Sequence, residues 1–276
     1  MLIVQRRRVS SYDTDAQNYI TAVEAADGQT LETAVKDAIN AFVVGCKADG
    51  IWSAIKASCI LAGARTLAGA LVPLVGANPT NVNFVSGDYN RKLGPKGNGA
   101  GGASNKRIDT NRNNTADGQN DRHCSVYVTE AGNFSQYMRL IAAGDSGQNG
   151  DTCINTGGNP GSSTWIGQTM PVACASQVPG ATFSGSGALG FIGMNRASST
   201  AYKLMINSTV TTITQNSATP ASKNYHLFGL PSDIPAQFFG GSIAMFTIGS
   251  SMSDVLFGQL RNRQIALMAA LATAIP

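Results

Sequence analysis

Residues 189–214 read LGFIGMNRASSTAYKLMINSTVTTIT, and this stretch decides the fold. Gly190, Phe191, Ile192 and Gly193 form an apolar run, and residues 195–200, NRASST, form a polar turn. Ala201–Ile206 then alternates in polarity, Asn207 and Ser208 turn the chain, and Thr209–Thr214 is dense in β-branched residues. Side chains on a strand point alternately to opposite faces, so period-two patterning bounded by Gly, Asn and Ser predicts a half-buried antiparallel hairpin. Further runs of this kind are expected at 107–111, 123–129, 137–142, 164–166, 170–173, 225–229 and 241–248. Together they predict an antiparallel β-sandwich.

Ahead of the β pattern the periodicity is helical. Asp13 or Asp15 can cap a first helix in which Ala16, Tyr19, Ile20 and Val23 recur at spacings of three and four, before Asp27-Gly28 stops it. A second helix begins at Thr30 and carries Leu31, Ala34, Val35, Ala38, Ile39 and Phe42 on one face. A third is expected over 51–64, with Trp52, Ile55, Ile60 and Leu61 as its stripe. Short connections make these helices antiparallel neighbours. A last helix, Asp254–Ala274, is capped by Ser253 or Asp254. The expected organisation is a basic arm at 1–12, a helical anchoring unit at 13–75, a Gly/Pro-rich linker packing on the sandwich at 76–105, and the sandwich with its C-terminal helix at 106–276.

Composition narrows the function. Of 276 residues, 43% are hydrophobic but only 13% are charged, about half the usual share. Glycine (31 residues), Ser, Thr and Asn take the place of charge, as suits a surface that neighbours cover. The net charge of +4 is too small to argue for nucleic acid. Arg91, Lys92, Lys96, Lys106, Arg107 and Arg112 cluster with Tyr89 as the lone aromatic, which fits a solvated loop better than a stacking groove. Five cysteines lack CxxC spacing and only two histidines occur, so no metal is expected. Cys46 and Cys59 read as buried thiols on helix faces, while Cys153 and Cys174 bracket a Gly-rich loop and could bridge under oxidising conditions. No run is long and apolar enough for a membrane span, and no membrane partner is expected. In MLIVQRRRV the basic residues follow the apolar ones, the reverse of a secretory signal.

Covalent chemistry finds little support. Glycoside cleavage needs two carboxylates at a set separation, yet Glu occurs only at 24, 32 and 130, and the acids beyond residue 155 are Asp233 and Asp254. A pair of Glu130 with Asp145 stays open. His123 and Cys124 are adjacent on a strand, so they face opposite sides and cannot act as a pair. His226 reads as a structural histidine. The run GPKGNGAGG lacks the Ser/Thr and the strand–helix context of a phosphate loop. No catalytic residue and no cofactor is expected.

Two further stretches carry a resemblance. The apolar strand, polar turn and YxxxINS of 202–208, with the closing GSIAMFTIGSSMSDVLFGQLRNRQIALMAAL of 241–271, resemble the laminin-G/concanavalin A-like sandwich (jelly roll). Residues 15–74 and TNVNFVSGDYNRKLGPKGNG at 80–99 resemble a segment of tailed-bacteriophage structural proteins that precedes such a sandwich. The fold class so implied is mainly β, a concanavalin A/laminin-G-like sandwich preceded by a small helical unit. The resemblance implies a virion protein; the amino end fits one made in the cytoplasm that leaves the cell by another route, and the scarcity of paired carboxylates and triads predicts no enzymatic activity. Calcium sites in that family need several acidic ligands on adjacent loops, whereas Asp109, Asp117, Asp121, Asp145 and Asp151 are scattered.

The leading expectation is a tail-fibre or adhesin subunit, associating with other virion proteins and with itself as a homotrimer, and binding host-surface carbohydrate. Trp165, Asn195, Arg196 and Tyr202 are its candidate glycan-facing residues. Arg6, Arg7 and Arg8 would serve as an attachment arm, because basic termini fray unless a neighbour holds them. They could instead bind phosphates or do nothing. The alternative is a capsid decoration (cement) protein that clamps the head.

Overall fold

A computed structural model describes residues 11–99, 102–132, 138–144, 152–156, 164–166, 168–170, 182–184, 189–217, 219–230 and 238–276. Two six-stranded antiparallel sheets face each other, and a layer of helices covers the outer side of one of them. The first sheet runs β1 (Ile55–Ile60), β16 (Ser242–Gly249), β6 (Arg122–Glu130), β12 (Gly190–Arg196), β13 (Ala201–Ile206), β14 (Thr209–Thr214). The second runs β10 (Gln168–Met170), β8 (Thr152–Thr156), β7 (Met138–Ala143), β15 (Asn224–Leu227), β5 (Arg107–Asn113), β2 (Thr80–Val82). Two small ladders complete the strands of the described residues: β3 (Tyr89–Asn90) with β4 (Gly94–Pro95), and β9 (Thr164–Ile166) with β11 (Thr182–Ser184).

The expected hairpin is present, with Ile192 opposite Ile206 and Met194 opposite Leu204 across β12 and β13. Its burial differs from the expectation, because every residue of β12 is buried. Ile192, Met194, Leu204 and Ile206 enter the core between the sheets, while Phe191 and Met205 enter a second core beneath the helices. A strand covered on both faces loses its polar alternation, which is why Gly190–Met194 reads as a continuous apolar run. The β13–β14 turn needs a left-handed residue, and Asn207 supplies it at φ +48°. Asn207 Oδ1 accepts from Phe191 N at 3.1 Å, and its Nδ2 donates to Leu189 O at 2.8 Å.

Helices α1 (Thr14–Asp27) and α2 (Thr33–Ala48) form as their periodicity predicts, and Asp13 caps α1 by accepting from Asp15 N. Gly28 ends α1 in the left-handed conformation at φ +67°. The third helix is corrected. Residues 52–54 make a single tight turn, and 55–60 form β1, which pairs antiparallel with β16. The reason is again burial on two sides: Ile55 and Ile60 pack under the helices, while Ala57 and Cys59 pack between the sheets. Apolar residues on both faces of a strand imitate a helical stripe over so short a window. Cys59 is therefore buried in a strand, whereas Cys46 sits on α2 as expected.

α3 (Leu67–Ala70) is one short turn, held to the end of α1 by Asp27, whose carboxylate accepts from Arg65 N, Thr66 N and Thr66 Oγ1. α4 (Asp254–Ala274) begins as predicted, with Ser253 accepting from Leu256 N. It lies against α2 and over β12, burying Phe257, Leu260, Leu267, Met268 and Leu271. Arg263 of α4 donates to both oxygens of Asp49 at 2.7 and 2.9 Å, fastening it to the end of α2. Arg6, Arg7, Arg8, Cys174 and Asp145 lie outside the described residues, and so do the expectations placed on them.

Candidate polar cleft

The segment 84–98 builds a cleft against the sheet junction. Asp88 Oδ2 accepts from Val85 N at 2.8 Å, closing a turn that hands the chain to β3. Asn90 Oδ1 then accepts from Lys92 N and Leu93 N, an Asx turn that folds β3 back onto β4. Two glycines allow this hairpin to lie on the start of β16. A Cβ on Gly94 would stand 2.2 Å from Ile243 O, and one on Gly97 would stand 1.9 Å from Phe239 O. Only hydrogen fits there. Gly97 N donates to Gly241 O at 2.9 Å, and Lys96 bridges to Ser242, so the segment is stitched to the sandwich by its backbone.

The resulting cavity of about 380 Å³ is lined by Asp88, Tyr89, Asn90, Leu93, Lys96, Asn98, Lys106, Glu130 and Ser242, with Gly87 and Gly97. That volume falls within the range of small-molecule sites. Glu130 Oε2 accepts from Ser242 Oγ at 2.6 Å and pairs with Lys96 Nζ at 3.3 Å. Asp88 pairs with Lys106. The Ser242 hydroxyl, helped by Lys96 and opposed by burial, holds the Glu130 carboxyl below its ordinary range. For Asp88, burial works toward protonation, but the Lys106 ammonium and the Val85 N–H outweigh it and the net shift is downward. Tyr89 is among the lining residues, its side chain packs against both hydrophobic cores, and its hydroxyl donates to Ala64 O at 2.8 Å.

The basic cluster read from sequence as a solvated loop is largely neutralised by carboxylates. Arg91 donates to both oxygens of Glu32 at 3.1 and 2.8 Å, Arg112 pairs with Asp117, and Lys96 and Lys106 pair in the cleft. GPKGNG, dismissed as a phosphate loop, contributes Lys96, Gly97 and Asn98 to the lining. The signal available in sequence was the close spacing of glycine with Lys, Asn and Tyr89, but nothing local tells which strand such a loop will meet.

The sequence-predicted glycan-facing residues have other duties. Asn195 is only 2% exposed, donating to Met252 O at 2.8 Å and accepting from Met252 N at 2.9 Å. Arg196 is fully buried, donating to Ser198 O, Ala201 O and Gln215 O, with its guanidinium carbon 5.0 Å from the Tyr202 ring centre. Tyr202 is 2% exposed in the core between the sheets. The expectation of an exposed face is thus corrected for these three: a polar residue beside a turn closes the turn's own carbonyls before it meets a ligand. Asn195 and Tyr202 do border a recess of about 130 Å³ with Lys203 and Asp254. Trp165 lies in β9, opposite Phe183 of β11.

His123 and Cys124 face opposite sides of β6, as their adjacency requires. Cys124 enters the core between the sheets. His123 turns toward α4, its Nδ1 2.6 Å from Ser250 O and its Nε2 3.2 Å from Thr247 Oγ1. Thr247 Oγ1 lies 2.7 Å from Ser125 Oγ, which accepts from Gln264 Nε2 at 3.0 Å. This chain of polar groups is sealed beneath α4, and burial pushes the His123 pKa down to about 4. His226 is buried with its Nε2 3.8 Å from Asp109. Among the described residues, no three His, Cys, Asp or Glu side chains gather as a metal site.

No protein-family model matches this chain, and no curated protein sequence matches it. Solved structures do. The binding domain of botulinum neurotoxin DC in complex with rat synaptotagmin II is 15% identical with a TM-score of 0.50, over 76% of this chain and 51% of that one. A botulinum neurotoxin type C structure, described as showing cell entry dependent on two ganglioside molecules, is 14% identical with a TM-score of 0.51, over 78% and 52%. The carbohydrate-binding module CBM40 of a Ruminococcus gnavus IT-sialidase is 13% identical with a TM-score of 0.36, over 52% and 83%. The chain spans about half the length of the neurotoxin chains it matches. At such identities the likeness is one of fold: a mainly β, antiparallel sandwich with helices toward its ends.

Proposed function

We propose that this chain is a non-catalytic structural subunit of a tailed-phage virion, a tail-fibre or adhesin component whose β-sandwich binds host-surface glycans. The observation that carries the glycan part is the cleft of about 380 Å³ between residues 87–98 and the β6–β16 junction, lined by paired carboxylates and ammonium groups, the amides Asn90 and Asn98, the Ser242 hydroxyl, Tyr89 and Leu93. Sugars are recognised by such convergent donors and acceptors beside an apolar surface. The sandwich fold, shared with the neurotoxin structure described with gangliosides, supports the same reading. The virion part rests on the sequence resemblance of residues 15–74 and 80–99 to phage structural proteins. Partners in this reading are other virion proteins and further copies of the chain, in a homotrimer that multiplies weak single-site contacts.

The test is competition. Purified protein at saturation should adsorb to host cells and block phage adsorption, and Gly97→Ala, which unseats the cleft segment, should lose that effect. Full infectivity in the presence of saturating wild-type protein would overturn the adhesin reading. A capsid decoration role is the second reading, favoured by Val44 on α2 and Ile265 on α4, apolar side chains exposed on the helical layer. It expects particles lacking the protein to lose their genome at lower temperature, and unchanged heat tolerance would count against it.

A further inference from the structure

Resting on the glycan reading above, we propose that the cleft selects uncharged saccharides and rejects those carrying a carboxylate. Four charged side chains line it, and they cancel: Asp88 with Lys106, Glu130 with Lys96. The remaining lining side chains, Tyr89, Asn90, Leu93, Asn98 and Ser242, are uncharged. Of the two cations between the lining residues Asn90 and Leu93, Arg91 is held by Glu32, and Lys92 is exposed and outside the lining.

Consider first an acidic sugar. Its carboxylate would lose hydration on entry, and such a loss is offset only by an unshared positive partner. Neither lysine is unshared. To reach Lys106 the ligand must displace Asp88, and to reach Lys96 it must displace Glu130, each time leaving a protein carboxylate beside its own. Carboxyls ordinarily titrate several units below neutral pH, so proton uptake does not relieve that repulsion there. A neutral sugar meets the opposite situation. Each hydroxyl both donates and accepts, so a vicinal pair can donate to a carboxylate and accept from the lysine beside it without breaking either ion pair. Tyr89 and Leu93, the aromatic and aliphatic members of the lining, supply its apolar part.

The experiment is a glycan array probed with the full chain, carrying neutral hexose and N-acetylhexosamine oligosaccharides beside the same structures capped with sialic or uronic acid. Calorimetry on the best-bound pair then supplies Kd values. The neutral member should bind at least about tenfold more tightly. Glu130→Gln, which makes the lining net positive, should narrow or reverse that ratio. Lys96→Gln, on a side chain 55% exposed and so without consequence for folding, should widen it. Equal or tighter binding of the acidic member, or a ratio unmoved by both substitutions, overturns the charge selectivity and leaves glycan binding standing. Binding to no glycan on the array overturns the glycan reading itself.

Discussion

Gly193 of β12 lies directly beneath the ring of Phe257 in α4: a Cβ added to it would stand 2.7 Å from Phe257 Cζ and 2.8 Å from Phe191 Cε1. The helix lies this close to the sheet because one strand position carries no side chain. The two phenylalanine rings, 5.7 Å apart and edge to face, fill the space around it.

Gly193→Ala is therefore expected to destabilise the fold by about 1–3 kcal/mol, the usual cost of overpacking a closed core. Gly258, in α4 with nothing within 4 Å of its missing Cβ, is the control. Gly258→Ala should stabilise by about 0.5–1 kcal/mol through helix propensity alone. Urea unfolding of both variants checks the pair, and an unchanged midpoint in Gly193→Ala would refute the packing argument.

His123 makes stability pH-dependent. Its pKa in the folded chain is about 4 against an ordinary 6.5, because burial disfavours the imidazolium. Above pH 6.5 both folded and unfolded chains hold it neutral, and its contribution is complete. As pH falls from 6.5 toward 4 the unfolded chain takes up a proton that the folded chain refuses, so stability declines by about 3 kcal/mol in all. His226, also pushed down to about 4 by burial, adds a loss of the same sign. Unfolding free energies measured at pH 8, 6, 5 and 4 should trace this fall. In His123→Gln the plateau should drop but the slope should flatten.

Glu32 titrates lower. The Arg91 guanidinium holds its carboxyl down to about 2 from an ordinary 4.5, against the smaller opposing effect of burial. Its stabilisation is present above pH 4.5 and lost as pH falls toward 2, below the histidine window. A double-mutant cycle of Glu32→Gln with Arg91→Gln at pH 7 should give a coupling of about 1 kcal/mol, as expected for a partly buried bidentate pair. No coupling would mean that the contact is incidental to the fold.

Arg196 offers a test of burial against recognition. Arg196→Met leaves the carbonyls of Ser198, Ala201 and Gln215 without their donor, and should cost about 3 kcal/mol in thermal or urea unfolding. Because its side chain is enclosed, glycan affinity measured below the melting transition should stay within about twofold of wild type. A selective loss of binding would restore the residue to the recognition surface.

Much of this was readable in the chain. The strand runs at 123–129 and 241–248, the hairpin at 189–214, the caps at Asp13 and Ser253 and the turn at Asn207 are local signals, and each sits where its chemistry requires. The failure at 51–64 was also local in origin: Ile55 and Ile60 face one core while Ala57 and Cys59 face another, and no window of ten residues separates that from a helical stripe. The candidate residues Asn195, Arg196 and Tyr202 misled for a related reason. Polarity near a turn says that hydrogen bonds are needed, without saying whether backbone or ligand supplies them.

Periodicity and turn chemistry in the amino-acid order alone determined that this protein builds an antiparallel sandwich flanked by helices, because backbone preferences act over a few residues. Which side chains became surface was decided by tertiary packing. α4 closed over β12 and buried His123. Gly94 and Gly97 let the 84–98 segment settle on β16, bringing its Asp88 and Lys96 around one cleft with Lys106 and Glu130 from two other places in the chain. Such convergence depends on contacts between residues up to about 150 positions apart, as Lys96 is from Ser242, and no local pattern encodes them.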